Sequence, residues 1–170
     1  MATDNGDIMK RSADISDCGR YRWWLRRDWG GPLLPQKIVT WIMLNPSKAD
    51  GEQDDPTIRR CIGFSRQWGY TALSVRNLFP WRATDPRELF TAESVTGGRR
   101  GDAEILAARS ADLIVVAWGA NVPFGRDRQV LDMLAGVPLF CLGKTKGGHP
   151  RHPVRLSSQT ALEPFGGVRA

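Results

Sequence analysis

A chain of 170 residues, 41% hydrophobic and 25% charged, has the make-up of one globular domain that buries enough apolar surface to fold without disulfides or a structural metal. No apolar run approaches the ~20 residues of a membrane helix, and Met1 to Asp17 lacks the apolar core of a secretory signal. The net charge of +6, carried mostly by arginine, points to a polyanionic partner such as nucleic acid, against the plainer reading of a solvated basic surface.

Residues 1–19 are polar and unpatterned and read as a flexible arm, leaving 20–170 as a single α/β domain. Arg20 to Arg27 alternates basic and aromatic residues and predicts an edge strand, ended by Trp29-Gly30-Gly31-Pro32. Such interleaving also suits stacking and phosphate contact. Lys37 to Leu44 is a nearly continuous apolar run, the pattern of a strand buried on both faces, and Asn45-Pro46-Ser47 stops it. Asp55-Pro56 is a helix start, with aspartate as N-cap and proline at the first helical position, and the helix ends near Gly69.

Ala72 to Phe79 reads as a second strand, closed by Pro80. A loop, a helical turn at Glu88-Leu89-Phe90 and a break at Gly97-Gly98 precede a helix over Asp102–Arg109. Asp112 to Trp118 is the clearest buried strand, Asp127 to Leu134 a helix, and Val137 to Leu142 a fourth core strand. Gly143 to Pro153 is a basic glycine- and proline-rich loop, and Leu156 to Leu162 reads as a last short helix. Alternating strands and helices predict three layers, α/β/α, around a mostly parallel four-stranded sheet with an N-terminal edge strand.

In such sheets the site lies beyond the carboxyl ends of the strands. Four segments would meet there: Asn45-Pro46-Ser47, Asn77 to Pro80, Gly119-Ala120-Asn121 and the loop from His149 to Pro153. Both histidines of the chain, His149 and His152, are in that last loop, where they can exchange protons, stabilise negative charge, or brace the turn. Asn45 can orient a water or simply form the turn before proline. Ser47 can donate to a phosphate or cap a turn. Asn77 can pair with a base edge or serve as an ordinary strand-end residue.

Phe79 and Phe64 are candidates for stacking on a base, though such residues are more often simply core. Arg151, Lys144 and Lys146 are candidate phosphate contacts, or a solvated basic loop. Asp50, Glu52, Asp54 and Asp55 offer a general base or a Mg²⁺ site, against a polar loop with a helix cap. Cys18, Cys61 and Cys141 are odd in number and far apart, and read as reduced, partly buried thiols. No metal and no cofactor is expected, the address is cytoplasmic without membrane contact, and a monomer is the simplest assembly.

Met43-Leu44-Asn45-Pro46-Ser47, Asp54 to Arg60, Asn77-Leu78-Phe79 and Gly147 to Pro153 together resemble a bacterial and phage family, domain of unknown function 1643, over roughly residues 20 to 160. The strand-end order is also similar, more distantly, to the uracil-DNA glycosylase superfamily. That resemblance implies base flipping and cleavage of an N-glycosidic bond. It casts Asn45 as the group that positions water, Asn77 as the reader of the base, and His152 of His152-Pro153-Val154-Arg155-Leu156 as the stabiliser of the leaving base, with His149 as the other register. Met43 and Val154 stand where that superfamily has glycine and serine. The competing readings are a non-catalytic nucleic-acid or nucleotide binder and a hydrolase of a small nucleoside or phosphorylated substrate.

Overall fold

The computed structural model describes residues 9–166, so the first eight positions of the expected arm lie outside the described residues. Seven strands form one mixed sheet: β1 (Lys10–Ile15), β2 (Arg22–Asp28), β3 (Ile38–Met43), β4 (Ala72–Asn77), β5 (Leu113–Val116), β6 (Phe140–Cys141) and β7 (Glu163–Pro164). Their order across the sheet is β1-β2-β4-β3-β5-β6-β7. The run β4-β3-β5-β6 is parallel, whereas β1, β2 and β7 are antiparallel to their neighbours. Helices α1 (Pro56–Gln67), α2 (Gly98–Ala107) and α3 (Arg126–Met133) make the crossovers between the parallel strands.

The period-two alternation of β3 divides the core. Val39, Trp41 and Met43 join Leu73, Val75 and Val115 beneath α1, whose Ile58, Cys61, Ile62 and Phe64 are buried. Ile42 faces the opposite way, into a cluster with Ile114, Val116 and Trp118 covered by Ile105 of α2 and Val130 of α3. A strand with a partner on each edge and helices on each face has no solvent side, which explains its unbroken apolar sequence.

The N-terminal half of α1 is fixed as its sequence implies. Asp55 accepts from the Ile58 N–H at 2.8 Å and Pro56 occupies the first turn. Helix α2 begins at Gly98, four residues before the expected Asp102; a Cβ on Gly101 would lie 1.8 Å from the Thr96 carbonyl oxygen, so only glycine fits.

Four expectations are corrected. The sheet has seven strands rather than four plus an edge strand, and the strand predicted over Arg20–Arg27 is interior, because β1 pairs outside it. Residues 10–15 of the expected flexible arm are that strand. The fourth core strand shrinks from Val137–Leu142 to Phe140–Cys141, since Gly136 adopts φ +80° and Pro138 has no N–H for a ladder. In place of a helix over Leu156–Leu162, a 3₁₀ turn at Pro153–Arg155 leads to β7, which pairs with β6. All three thiols are free, and Cys18 is exposed while Cys61 and Cys141 are buried.

Candidate functional site

A cleft of about 280 Å³ opens at the carboxyl ends of the parallel strands. Asn45 and Ser47 after β3, Asn77 at the end of β4 and Trp118 after β5 line it. Asp55, Thr57 and Ile58 of the α1 N-terminus, Thr84 and Pro86 of the loop after β4, and His152 also line it.

Each side chain is held by its own segment. The Asn45 amide nitrogen donates to the carbonyls of Pro46 (3.0 Å) and Ala83 (2.9 Å). Both N–H groups are thereby used, and two carbonyl acceptors fix the amide so that Oδ1 is the atom left to accept. The loop carrying His152 is tied to the end of β5 by Gly119 N–H to the Pro150 carbonyl (2.9 Å). Arg60 of α1 straps the following turn by donating to the Leu156 carbonyl. His152 caps that turn, with Nδ1 accepting from the Val154 N–H at 3.3 Å. Burial lowers its pKa below the ordinary value, and the charge of Asp55 opposes that shift.

The structure separates the two histidines. His152 lines the cleft. His149 bonds within its own loop through Thr145: its N–H donates to Thr145 Oγ1 at 3.2 Å and its carbonyl accepts from Thr145 N–H at 2.8 Å. Asn45, Ser47 and Asn77 share the cleft with His152, whereas Phe79 and Phe64 do not line it. Phe79 is fully buried under α2, and Phe64 packs between Trp41 and Trp68. Arg151, Lys144 and Lys146 are exposed outside the cleft, with Lys144 4.0 Å from Glu163 of β7.

The acidic run does not converge. Asp54 pairs with the fully buried Arg27 at 2.7 Å, Asp50 accepts from the Glu52 and Gln53 N–H groups, and only Asp55 lines the cleft. Among the described residues no group of three His, Cys, Asp or Glu side chains is placed to hold a metal ion.

Arg22 is the functional candidate that sequence reading missed. It is 2% exposed and lines the cleft. It donates to the Ala49 carbonyl (2.9 Å) and to Asn77 Oδ1 (3.3 Å), while its Nε has no partner. Burial pushes its pKa down to about 10, so it remains a cation at neutral pH. A bulge puts it there. Asp14 pairs with Trp24 but Ile15 with Arg22, which leaves Trp23 as an extra residue. Trp23 turns toward α2, where the Arg100 guanidinium lies 4.4 Å from its ring, and Arg22 turns to the face of Asn77. Trp118, also overlooked, lines the same cleft with an unpartnered, buried Nε1.

A family model described as protein of unknown function (DUF1643) matches residues 22–154. The chain belongs to the DUF1643 family. The matched span of this DUF1643 protein begins at Arg22 and ends two residues past His152, so every residue lining the cleft falls within it, while β1 and β7 lie outside. No curated protein and no solved structure gives a significant match to this DUF1643 chain. Among its described residues no helix is long and apolar enough to cross a membrane.

Proposed function

We propose that this protein acts on nucleic acid as a glycosylase-like hydrolase, taking a flipped base into the cleft and cleaving its N-glycosidic bond. One observation carries the reading: Asn45, with its carbonyl oxygen uncommitted, and His152, with its Nδ1 occupied, line a single cleft at the ends of parallel strands. Asn45 Oδ1 would hold a water against the sugar carbon. As the water oxygen bonds to that carbon, the C–N bond breaks and its electron pair leaves with the base. His152 Nε2–H would donate to the oxygen on which the charge gathers, and the proton lost by the water ends on the departing base.

Support also comes from the helices on both faces and the contiguous parallel strands β4-β3-β5-β6, the arrangement that the uracil-DNA glycosylase resemblance implies. A groove lined by Pro86, Phe90 and Asn121 adjoins the cleft at Pro86. Phe90 of that groove and Phe124 beside it are 58% and 64% exposed with ring centres 6.2 Å apart, a surface on which unpaired bases can stack.

The test is incubation with end-labelled oligonucleotides carrying a broad panel of modified and deaminated bases, followed by alkaline cleavage. Abasic sites are expected, and they should disappear in the Asn45→Ala and His152→Ala variants. No abasic product from folded protein in excess would overturn the reading. A second reading, hydrolysis of a small phosphorylated nucleoside, is favoured by the buried Arg22 cation, which an anionic ligand would neutralise. It predicts base release from free nucleotides and none from oligonucleotides.

A further inference from the structure

Three hollows lie side by side across the strand ends, and one stretch of chain borders them all. Arg82, Ala83 and Thr84 line a groove together with Ser47 and Lys48. Ala83, Thr84 and Pro86 line the cleft, and Pro86, Arg87 and Phe90 line the groove beyond it. Residues 82–90 therefore run as a ridge from one groove, past the cleft, to the other. The ridge is pinned from below: the Ala83 N–H donates to the Pro46 carbonyl at 3.0 Å, the Ala83 carbonyl accepts from the Asn45 amide at 2.9 Å, and Leu89 is fully buried. Thr84, Pro86, Arg87 and Phe90 stand exposed on top.

The two ends of the ridge differ in chemistry. At the first, Lys48 is exposed, and neither it nor Arg82 makes an ion pair among the described residues. Arg82 gives one hydrogen bond, to the Gly19 carbonyl at 3.1 Å. No acid lines this groove. The charge of Arg82 reaches the Asp50 carboxylate, which already accepts from the Glu52 and Gln53 N–H groups. At the other end the charge is spent, because Arg87 holds the Asp85 carboxylate at 2.6 Å. What that end offers is the exposed ring of Phe90, with Phe124 beside it. Asp85 and Glu88, the acids of the ridge, line neither groove.

We propose that residues 82–90 form a track for single-stranded nucleic acid, with a phosphate subsite at Lys48 and Arg82 on one side of the cleft and a base-stacking end at Phe90 and Phe124 on the other. Free cations beside exposed rings are the pairing of features that holds a single strand without reading its sequence. A duplex fits poorly: its bases are already stacked on one another, and its second line of phosphates would find no free cation at the Phe90 end. The inference rests on the reading of the cleft as a nucleotide site and names the form of the substrate, and it does not depend on cleavage.

The test is fluorescence anisotropy with an end-labelled oligonucleotide of ordinary bases, single-stranded or annealed to its complement, over a series of salt concentrations. The single strand should bind about tenfold or more tightly than the duplex. Lys48→Gln, at an exposed position without an ion pair, should fold normally. It should flatten the plot of log affinity against log salt by about 0.7, the loss of one single-strand phosphate contact, which amounts to about fivefold weaker binding at about 0.1 M salt. Arg82→Gln should flatten it similarly and Arg82→Lys should restore it, whereas a merely structural Arg82 would leave the slope unchanged. Phe90→Ser should weaken binding about fivefold or more with the slope unchanged, because a stack releases no counterions.

Unchanged affinity and slope in Lys48→Gln, or a duplex bound as tightly as the single strand, would overturn the track. So would a nucleoside monophosphate that binds as tightly as the oligonucleotide in calorimetry, since the phosphate would then come from a free nucleotide. Self-association lost in Phe90→Ser with DNA affinity unchanged would assign the aromatic end to a second copy of the chain and overturn it as well. Abasic product formed from duplex alone would overturn the track and leave the hydrolase reading intact, whereas single-strand binding with these variant effects and no abasic product would support the track and count against cleavage.

Discussion

The Val154 N–H donates to Nδ1 of His152 at 3.3 Å, and this bond decides which ring nitrogen carries the proton. A nitrogen that accepts holds none, so the neutral ring keeps its proton on Nε2. Protonating Nδ1 would break that bond, and burial further disfavours the cation. The imidazole is therefore built to act neutral. Glycosidic cleavage should be maintained at and above neutral pH and fall as the solution is acidified. His152→Gln should lower the rate about 10²–10³-fold, the usual loss on removing one such donor. Single-turnover rates from pH 5 to 8 check both, and a rate that climbs on acidification would mean that the cation is the active form.

The same proton governs stability. Below the ordinary histidine value of 6.5 the unfolded chain protonates His152 while the folded chain resists. The unfolded state then binds more protons, so this contribution to stability declines as pH falls through 6.5 and levels off below the lowered native value. Urea unfolding at pH 7.5 and 5.5 should show a smaller pH effect for His152→Gln than for the wild type.

Asp55 combines two roles that substitution can separate. Its side chain caps α1 through the Ile58 N–H, and its charge favours the protonated form of His152. Asp55→Ala should cost about 1 kcal/mol in chemical denaturation, the usual value of a lost N-cap. Asp55→Asn keeps a capping oxygen but removes the charge, so stability should change little while the His152 pKa falls further. A proton NMR titration of the imidazole reads this directly, and a higher pKa in Asp55→Asn would contradict the electrostatic assignment.

The contrast between Asn45 and Arg22 shows what a sequence of this kind makes legible. Asn45 follows an apolar run that can only be a strand buried on both faces, and the proline after it marks where that strand stops. Parallel strands bring such ends together, which is why Asn45, Asn77 and His152 were all readable as neighbours. Arg22 was not, because its direction depends on one extra residue in β2 and on an antiparallel partner, β1, whose sequence Lys10–Ile15 has no apolar alternation. That strand is held by main-chain pairing, which leaves little trace in side-chain pattern. Phe79 stayed open between two readings for the opposite reason: a strand-end aromatic has the same sequence signature whether it points to a ligand or into the core, where this one is fully buried.

Arg27 anchors the loop that carries Ser47 to Asp55. Removing its guanidinium leaves Asp54 with only the longer contact to Arg11 at 3.7 Å and leaves the Asp50 and Gln53 carbonyls without their donor. Arg27→Met should therefore destabilise the fold by about 3–5 kcal/mol, as breaking one side of a buried pair does. Urea denaturation measures this. A loss below about 1 kcal/mol would show the pair to be no stronger than a surface ion pair.

Phe124 tests the proposed nucleic-acid surface, because its conformation and its exposure are both unfavourable to the folded chain. It adopts φ +60°, where a side chain costs roughly 1–2 kcal/mol relative to the right-handed region, and its ring is 64% exposed beside Phe90. Folding alone would favour glycine at this position. Phe124→Gly should raise stability by about 1 kcal/mol through relief of that strain. If the ring stacks on an unpaired base, the same variant should weaken single-stranded DNA binding about tenfold, within the range for one lost base–aromatic stack. Thermal melting and fluorescence anisotropy on one preparation separate the two effects. A more stable variant with unchanged DNA affinity would remove Phe124 from the interface, and weaker binding together with lower stability would refute the strain argument.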